Sequence, residues 1–330
     1  MNYEIIATVG PASRSTDVAS AMIAAGATAL RINTSHLSVE ELDEWMGGVK
    51  TVVADQTAGA SGTSSIPIVL DLQGSKWRLG KCGPLTLPKG RRVVLVYSPS
   101  SSKTNELPVP HEDLFRSATL SDGTLLLNDA KVVLEIERAE KHQIEAVVTS
   151  GGPITSFKGI TFAQSRFRTE SLSGKDAEIV ARKRGTPFVR FALSYVKDAL
   201  EMQNYRSSIG KNAYLIAKLE RPDALAQAGE IAQIADEVWL CRGDLGAELG
   251  LRDMAREAYE LTKRVGSLGV PTMLAGQVLE HMTEHETPTR AEVCSLFDAL
   301  AAGYDGVVLS DETAIGRFPI DSCHVAAMFR

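Results

Sequence analysis

Glu220 and Asp244 close two successive apolar runs, Ile216-Ala217-Lys218-Leu219-Glu220 and Trp239-Leu240-Cys241-Arg242-Gly243-Asp244-Leu245-Gly246. Runs of this kind read as buried strands, and strands joined by a crossover helix end at the same rim of a parallel sheet. Two carboxylates at one rim suit a hard divalent cation such as Mg²⁺, which fills its other positions with water or substrate oxygens. Lys218 shares a face with Glu220 because alternate strand residues point the same way. If Gly243-Asp244-Leu245-Gly246 opens a helix, its backbone N–H groups form an anion pocket beside the cation. The plainer readings are an ion pair at a strand end and an exposed turn. Their occurrence at successive strand ends favours a metal site for a charged oxyacid.

Further along the same rim, Arg31-Ile32-Asn33-Thr34-Ser35-His36 places Arg31, Asn33 and Ser35 on one face. Arg31 offers a fork of donors for a phosphoryl group. Asp71-Leu72-Gln73-Gly74-Ser75-Lys76-Trp77-Arg78 adds an acid and further cations. His36 alone reads more simply as a hydrogen-bonded loop residue.

The elements that must position these residues are legible as short apolar strands alternating with Ala-rich amphipathic stretches. Eight strands are expected, at 5–9, 29–33, 67–72, 188–193, 214–219, 237–241, 271–275 and 306–310, with helices among them at 17–25, 175–184, 222–234, 253–266 and 289–302. Eight βα units predict an α/β fold, a closed (β/α)₈ TIM barrel whose chemistry sits at the C-terminal ends of the strands. From 80 to 164 the rhythm changes to alternating runs separated by Gly-Pro, Pro-Lys-Gly and Ser-Asp-Gly turns. This predicts a small all-β lid domain inserted after the third strand, leaving 1–79 and 165–330 as the barrel.

At 330 residues, 44% hydrophobic and with a net charge of −6, the chain excludes a strongly basic nucleic-acid or membrane-surface protein. No apolar run reaches the length of a membrane span. Cys82, Cys241, Cys294 and Cys323 lack metal-ligand spacing, and reduced thiols in the cytoplasm are expected.

Taken together, the residues resemble the pyruvate kinase family over nearly the whole chain. The resemblance is carried by Thr8-Val9-Gly10-Pro11-Ala12-Ser13-Arg14-Ser15, Arg31 to His36, Leu70-Asp71, Ala217 to Glu220, Arg242 to Gly246, Pro288-Thr289-Arg290-Ala291-Glu292 and Leu309-Ser310-Asp311-Glu312-Thr313-Ala314. It implies phosphoryl transfer between phosphoenolpyruvate and ADP, giving pyruvate and ATP. Glu220 and Asp244 would hold Mg²⁺, and Lys218 would stabilise the transferring phosphoryl group and the enolate. Arg31 would bind phosphoryl oxygens, and the Gly243–Asp244 backbone would receive the carboxylate. Pro11, Asn33, His36, Arg78 and Lys175 match nucleotide-contacting positions. Asn33, Ser35, Asp71 and the carbonyl of Leu72 match a monovalent-cation cage.

The departures from the family's pattern carry their own expectations. Lys76 stands where potassium-dependent members have a glutamate, so K⁺ is not expected to be required. Gly276, in Ala275-Gly276-Gln277, replaces the threonine beside the enolate, removing a proton route and leaving space for a bulkier 2-oxo acid. Arg221 replaces an asparagine, and Asp311 and Ile315 alter the last motif. The resemblance reaches the barrel and lid only, so a monomer or homodimer is expected rather than a tetramer. The alternatives are a Mg²⁺-dependent 2-oxo-acid lyase (an aldolase or oxaloacetate decarboxylase) on the same enolate site, and a non-catalytic metabolite-binding paralogue.

Overall fold

A computed structural model describes residues 1–58, 66–74, 77–118, 123–128, 131–162 and 172–330, with the backbone alone for His36 and residues 53–58. Two compact units emerge. One comprises Met1–Gly74, Ser171–Gly243 and Arg252–Arg330, and the other Ser75–Glu170 with Asp244–Leu251.

In the first unit eight parallel strands close into a barrel: Glu4–Val9, Ala29–Asn33, Ile68–Leu72, Val189–Leu193, Tyr214–Leu219, Glu237–Cys241, Thr272–Ala275 and Gly306–Leu309. Their order around the barrel follows the chain, and pairing of Glu4 with Gly306 and Ala7 with Leu309 seals the ring. Three strands start one residue later than expected. Pro67 and Pro271 have no N–H to give the ladder, and Phe188 takes a left-handed φ of 66°.

Period-two alternation sorts the inward side chains into layers. Ile6, Ala29, Val69, Ala192, Ile216, Trp239, Met273 and Val308, one from each strand, form a single buried cluster. Two residues further along the strands, the same parity gives Thr8, Arg31, Asp71, Ser194 and Lys218 toward the C-terminal end. Two residues back it gives Glu4, Arg190, Tyr214 and Glu237 toward the N-terminal end. An apolar middle layer therefore separates two polar ones.

The helices start where side chains can satisfy their first amides. Ser15, Ser173 and Asp198 cap Thr16–Ala24, Gly174–Lys183 and Ala199–Ile209. Thr289 and Glu292 form a reciprocal capping box on Arg290–Ala301. The helix expected over 222–234 is two short ones, Pro222–Ala226 and Ala228–Ala232, broken at Gln227, whose backbone leaves the helical region. Two helices fill Arg242–Thr262, joined at Gly250, whose φ of 76° and ψ of 162° are not helical; the second is the helix expected from Asp253, and it ends at Thr262. No helix among the described residues is long and apolar enough to cross a membrane.

The second unit has its own core, including Leu95, Leu107, Phe115, Leu125, Leu134, Ile144 and Phe162. Its seven-stranded sheet runs Trp77–Arg78, Gly159–Phe162, Thr124–Leu127, Val132–Glu140, Gln143–Ser150, Arg92–Tyr97, Glu106–Val109, with Leu85–Leu87 and Gly152–Ile154 paired separately. It is not purely β. Glu112–Ala118 is a helix that buries Leu114, Phe115 and Ala118 in that core.

Candidate active site

The C-terminal polar layer of the barrel is built on Asp71, at the end of the third strand. Arg31, from the second strand, donates from Nε and Nη2 to Asp71 Oδ2 at 2.8 and 2.6 Å, and from Nη1 to Thr8 Oγ1 at 2.7 Å. Ser194, just past the fourth strand, donates to Asp71 Oδ1 at 2.9 Å. Lys218, from the fifth, lies 3.1 Å from Asp71 Oδ2, 2.9 Å from Ser194 Oγ and 2.9 Å from Glu220 Oε1. Neighbouring strands thus bring two cations and two carboxylates into one buried network.

The charges sustain one another. Burial alone would raise the pKa of Asp71, but Lys218 and Arg31 outweigh it and hold the carboxyl below its ordinary value. Burial disfavours the Lys218 ammonium, yet Asp71 and Glu220 more than compensate and raise its pKa. Lys218 therefore remains a cation at physiological pH. It can neutralise developing negative charge, and it is poorly suited to act as a base.

Glu220 lies just beyond the fifth strand and is 1% exposed. Its Oε2 accepts the backbone N–H of Tyr195 at 2.7 Å. Asp244 falls in the first turn of the helix that starts at Arg242 directly after the sixth strand, and the N-cap, Cys241, offers that helix no side-chain acceptor. Arg242 donates from Nε and Nη2 to the Gly276 carbonyl at 3.0 and 2.8 Å, and from Nη2 to that of Gln277 at 3.0 Å.

Gly276 does not leave the space expected of it. Its φ is +88°, and a Cβ would lie 2.9 Å from the backbone nitrogen of Gly243 and 3.1 Å from that of Arg242. The turn after the seventh strand lies so close to the helix N-terminus that glycine, with no Cβ and free access to positive φ, is the residue that fits there.

Of the candidate nucleotide positions, Lys175 and the Asn33–His36 turn are brought together: Lys175 Nζ donates to the Thr34 carbonyl at 2.6 Å. Asn33 accepts the Ser35 N–H at 3.1 Å, and Thr34 donates to the Asp71 carbonyl at 2.9 Å. Pro11 is exposed in the turn after the first strand. Arg78 belongs to the second unit, where Nη1 donates to the Phe157 carbonyl at 3.1 Å. Lys76 and the side chain of His36 lie outside the described residues.

Several residues of the distinctive motifs hold the backbone rather than facing a substrate. Glu292 accepts the His281 N–H at 2.8 Å as well as capping its helix. Glu312 accepts from the amides of Leu279 and Ser310 at 2.9 and 2.6 Å, and Thr313 from that of Thr8 at 2.9 Å. Sequence reasoning missed Thr8, Ser194, Tyr195 and Asp176. Ser194 was reachable, because it continues the inward parity of Ala192. Asp176 was not: its oxygens take the Gln73 and Gly74 amides at 3.1 Å from a helix about a hundred positions away.

A closed parallel barrel with buried acid–base pairs at its strand C-termini defines the class of TIM-barrel proteins with a site at that face. The family model described as pyruvate kinase, barrel domain, matches residues 1–323. The pyruvate kinase of Thermococcus litoralis is 33% identical over 329 residues, covering 98% of this chain and 68% of that protein. Those of Agrobacterium vitis and Methylorubrum extorquens are each 31% identical, covering 98% and 97% of this chain and 66% of their own length. The chain spans about two thirds of the length of these relatives. It belongs to the pyruvate kinase family.

Proposed function

We propose that the chain transfers a phosphoryl group between phosphoenolpyruvate and ADP, with Mg²⁺ and without a requirement for K⁺. The observation that carries this reading is the buried Arg31–Asp71–Lys218–Glu220 network at the strand ends of a pyruvate kinase-family barrel. Phosphoryl transfer asks the protein chiefly for positioning and for stabilisation of charge. Arg31, held by Asp71 through two donors, is the group to bind phosphoryl oxygens. Lys218, fixed as a cation by Asp71 and Glu220, is the group to stabilise the transferring phosphoryl and the departing enolate. The backbone of Gly243 and Asp244, in the first turn of the uncapped helix, would receive the carboxylate.

Glu220 and Asp244 would hold Mg²⁺. Carboxylate oxygens are the donors this ion prefers. A two-carboxylate site completed by water and substrate oxygens fits that donor set. When bound, the ion would neutralise charge on the phosphoryl and enolate oxygens. Pro11, Asn33, His36, Arg78 and Lys175 are proposed nucleotide contacts. Asn33, Ser35, Asp71 and the Leu72 carbonyl are proposed at the monovalent-cation position, with Lys76 in place of the ion. Residues 80–164 are proposed as a lid, with 1–79 and 165–330 as the catalytic domain.

Purified protein with Mg²⁺, phosphoenolpyruvate and ADP should yield ATP, and replacing K⁺ with a tetraalkylammonium salt should leave the rate within about twofold. Cleavage of oxaloacetate or an aldol substrate without ATP formation would move the assignment to the lyase chemistry of the same site. Loss of turnover on K⁺ removal would overturn the role given to Lys76.

A further inference from the structure

The turn that holds Glu220 is itself held from an unexpected side. Tyr195 is a non-glycine residue with a left-handed φ of 61°, a conformation that costs on the order of 1 kcal/mol and persists only where its surroundings impose it. Its N–H is the one that grips Glu220 Oε2 at 2.7 Å. Its ring meets the guanidinium of Arg221, whose Cζ lies 4.8 Å from the ring centroid. Two consecutive residues at the end of the fifth strand therefore grip one residue, Glu220 by its amide and Arg221 by its ring. Arg221 is 3% exposed. Burial raises the pKa of the nearby Glu201 carboxyl, and its bond from the Lys197 N–H and the charge of Arg221 oppose that rise. Glu201 in turn accepts the Lys197 N–H at 2.6 Å, and Asp198 caps the helix carrying Glu201 through the Glu201 N–H at 2.8 Å. The segment from Ser194 to Asp198 is thus tied at both ends.

We propose that Arg221, the residue that replaces the family's asparagine, is a positioning residue for Glu220, acting through the ring of Tyr195. Stacked on that ring, it keeps Tyr195 left-handed and the amide aimed at Oε2, so that Oε1 stays at Lys218 and the carboxylate is presented in one orientation to a divalent cation. The desolvated cation–ring contact supplies the force. The inference rests on the reading of Glu220 as a Mg²⁺ ligand.

Mn²⁺ alone serves as the probe, its binding to the full chain followed by the loss of the free-ion EPR signal, with thermal melting measured on each variant. Arg221→Ala and Tyr195→Leu should each weaken Mn²⁺ binding about five- to tenfold in protein that is still folded. The double variant should be no weaker than either single one, and Tyr195→Phe, which keeps the ring, should stay within about twofold of the parent. Lowered melting temperatures with unchanged Mn²⁺ affinity would overturn the proposal and leave Arg221 a structural residue. Additive losses in the double variant would overturn the route through Tyr195. If Glu220→Gln binds Mn²⁺ as tightly as the parent, the metal assignment itself fails, and the positioning role fails with it. Weak binding in Glu220→Gln beside parent-like binding in Arg221→Ala would defeat the positioning role alone.

Discussion

The two ends of one barrel carry buried charge in opposite ways. At the C-terminal end, Arg31 and Lys218 face Asp71 and Glu220, so cations and carboxylates balance and Asp71 is held ionised. At the N-terminal end, among the described residues, Arg190 alone faces Glu4 at 3.0 Å and Glu237 at 3.1 Å, helped by the Tyr214 hydroxyl at 3.0 Å and the Trp239 indole at 2.6 Å from Glu237. One cation for two acids leaves the fully buried one short of compensation, and burial pushes the Glu237 carboxyl up to about 7. Both layers come from the same strands, four residues apart: Arg190 and Ser194, Tyr214 and Lys218. Strand alternation puts polar groups inside at both ends. Charge balance, set by which strands contribute, decides which end stays ionised and can meet a charged ligand.

Breaking the C-terminal layer should have the largest effect. Lys218→Met should lower ATP formation by about three orders of magnitude or more, read in a coupled assay, because the Lys218 ammonium meets both Asp71 and Glu220. A loss of tenfold or less would show that the layer is scaffolding. Asp71→Asn should destabilise the fold by about 3–5 kcal/mol in urea unfolding, since it takes the carboxylate from Arg31 and leaves Lys218 with Glu220.

Gly276→Thr should cost about 2–3 kcal/mol, from the left-handed backbone and from a Cβ driven against the Gly243 and Arg242 nitrogens. A threonine accepted without loss of stability would mean that the turn reopens and that the grip of Arg242 on the Gly276 carbonyl is weak.

The N-terminal layer should respond to pH with the opposite sign. Glu237 titrates higher folded than unfolded, so the folded chain holds the extra proton and gains from it at acid pH. That gain is lost as pH rises from about 4.5 to 7, an effect on the order of 3 kcal/mol. Asp71, held low by Lys218 and Arg31 against its burial, contributes stability at neutral pH that is lost as pH falls below the ordinary carboxylate range toward its depressed value. Urea midpoints of parent and Glu237→Gln should therefore converge at pH 5 and separate toward pH 7, the variant being the more stable at pH 7. Parallel curves would show that Arg190 already compensates both acids. The smallest effect is expected from Tyr214→Phe, about 1 kcal/mol for one hydrogen bond to Glu237.

The eight strands, their parallel order and the family were legible in the sequence, because apolar runs at βα spacing and long motifs are local signals. So were Lys218, Glu220, Asp71 and Arg31 as candidates, since each sits in or just past an apolar run with inward parity. What each of them touches was not legible. Asp71 read as one more acid at the rim, and only closure of the barrel made it the residue that Arg31, Ser194 and Lys218 share. Glu292, Glu312 and Thr313 lay in motifs that suggested chemistry, yet they satisfy backbone amides. The left-handed Tyr195 and the close approach at Gly276 left no mark on periodicity, because both depend on contacts between segments far apart in the chain. Residue type and spacing set the direction of a side chain along its own strand. Its partner depends on strand register and barrel closure, which bring together positions far apart in the chain.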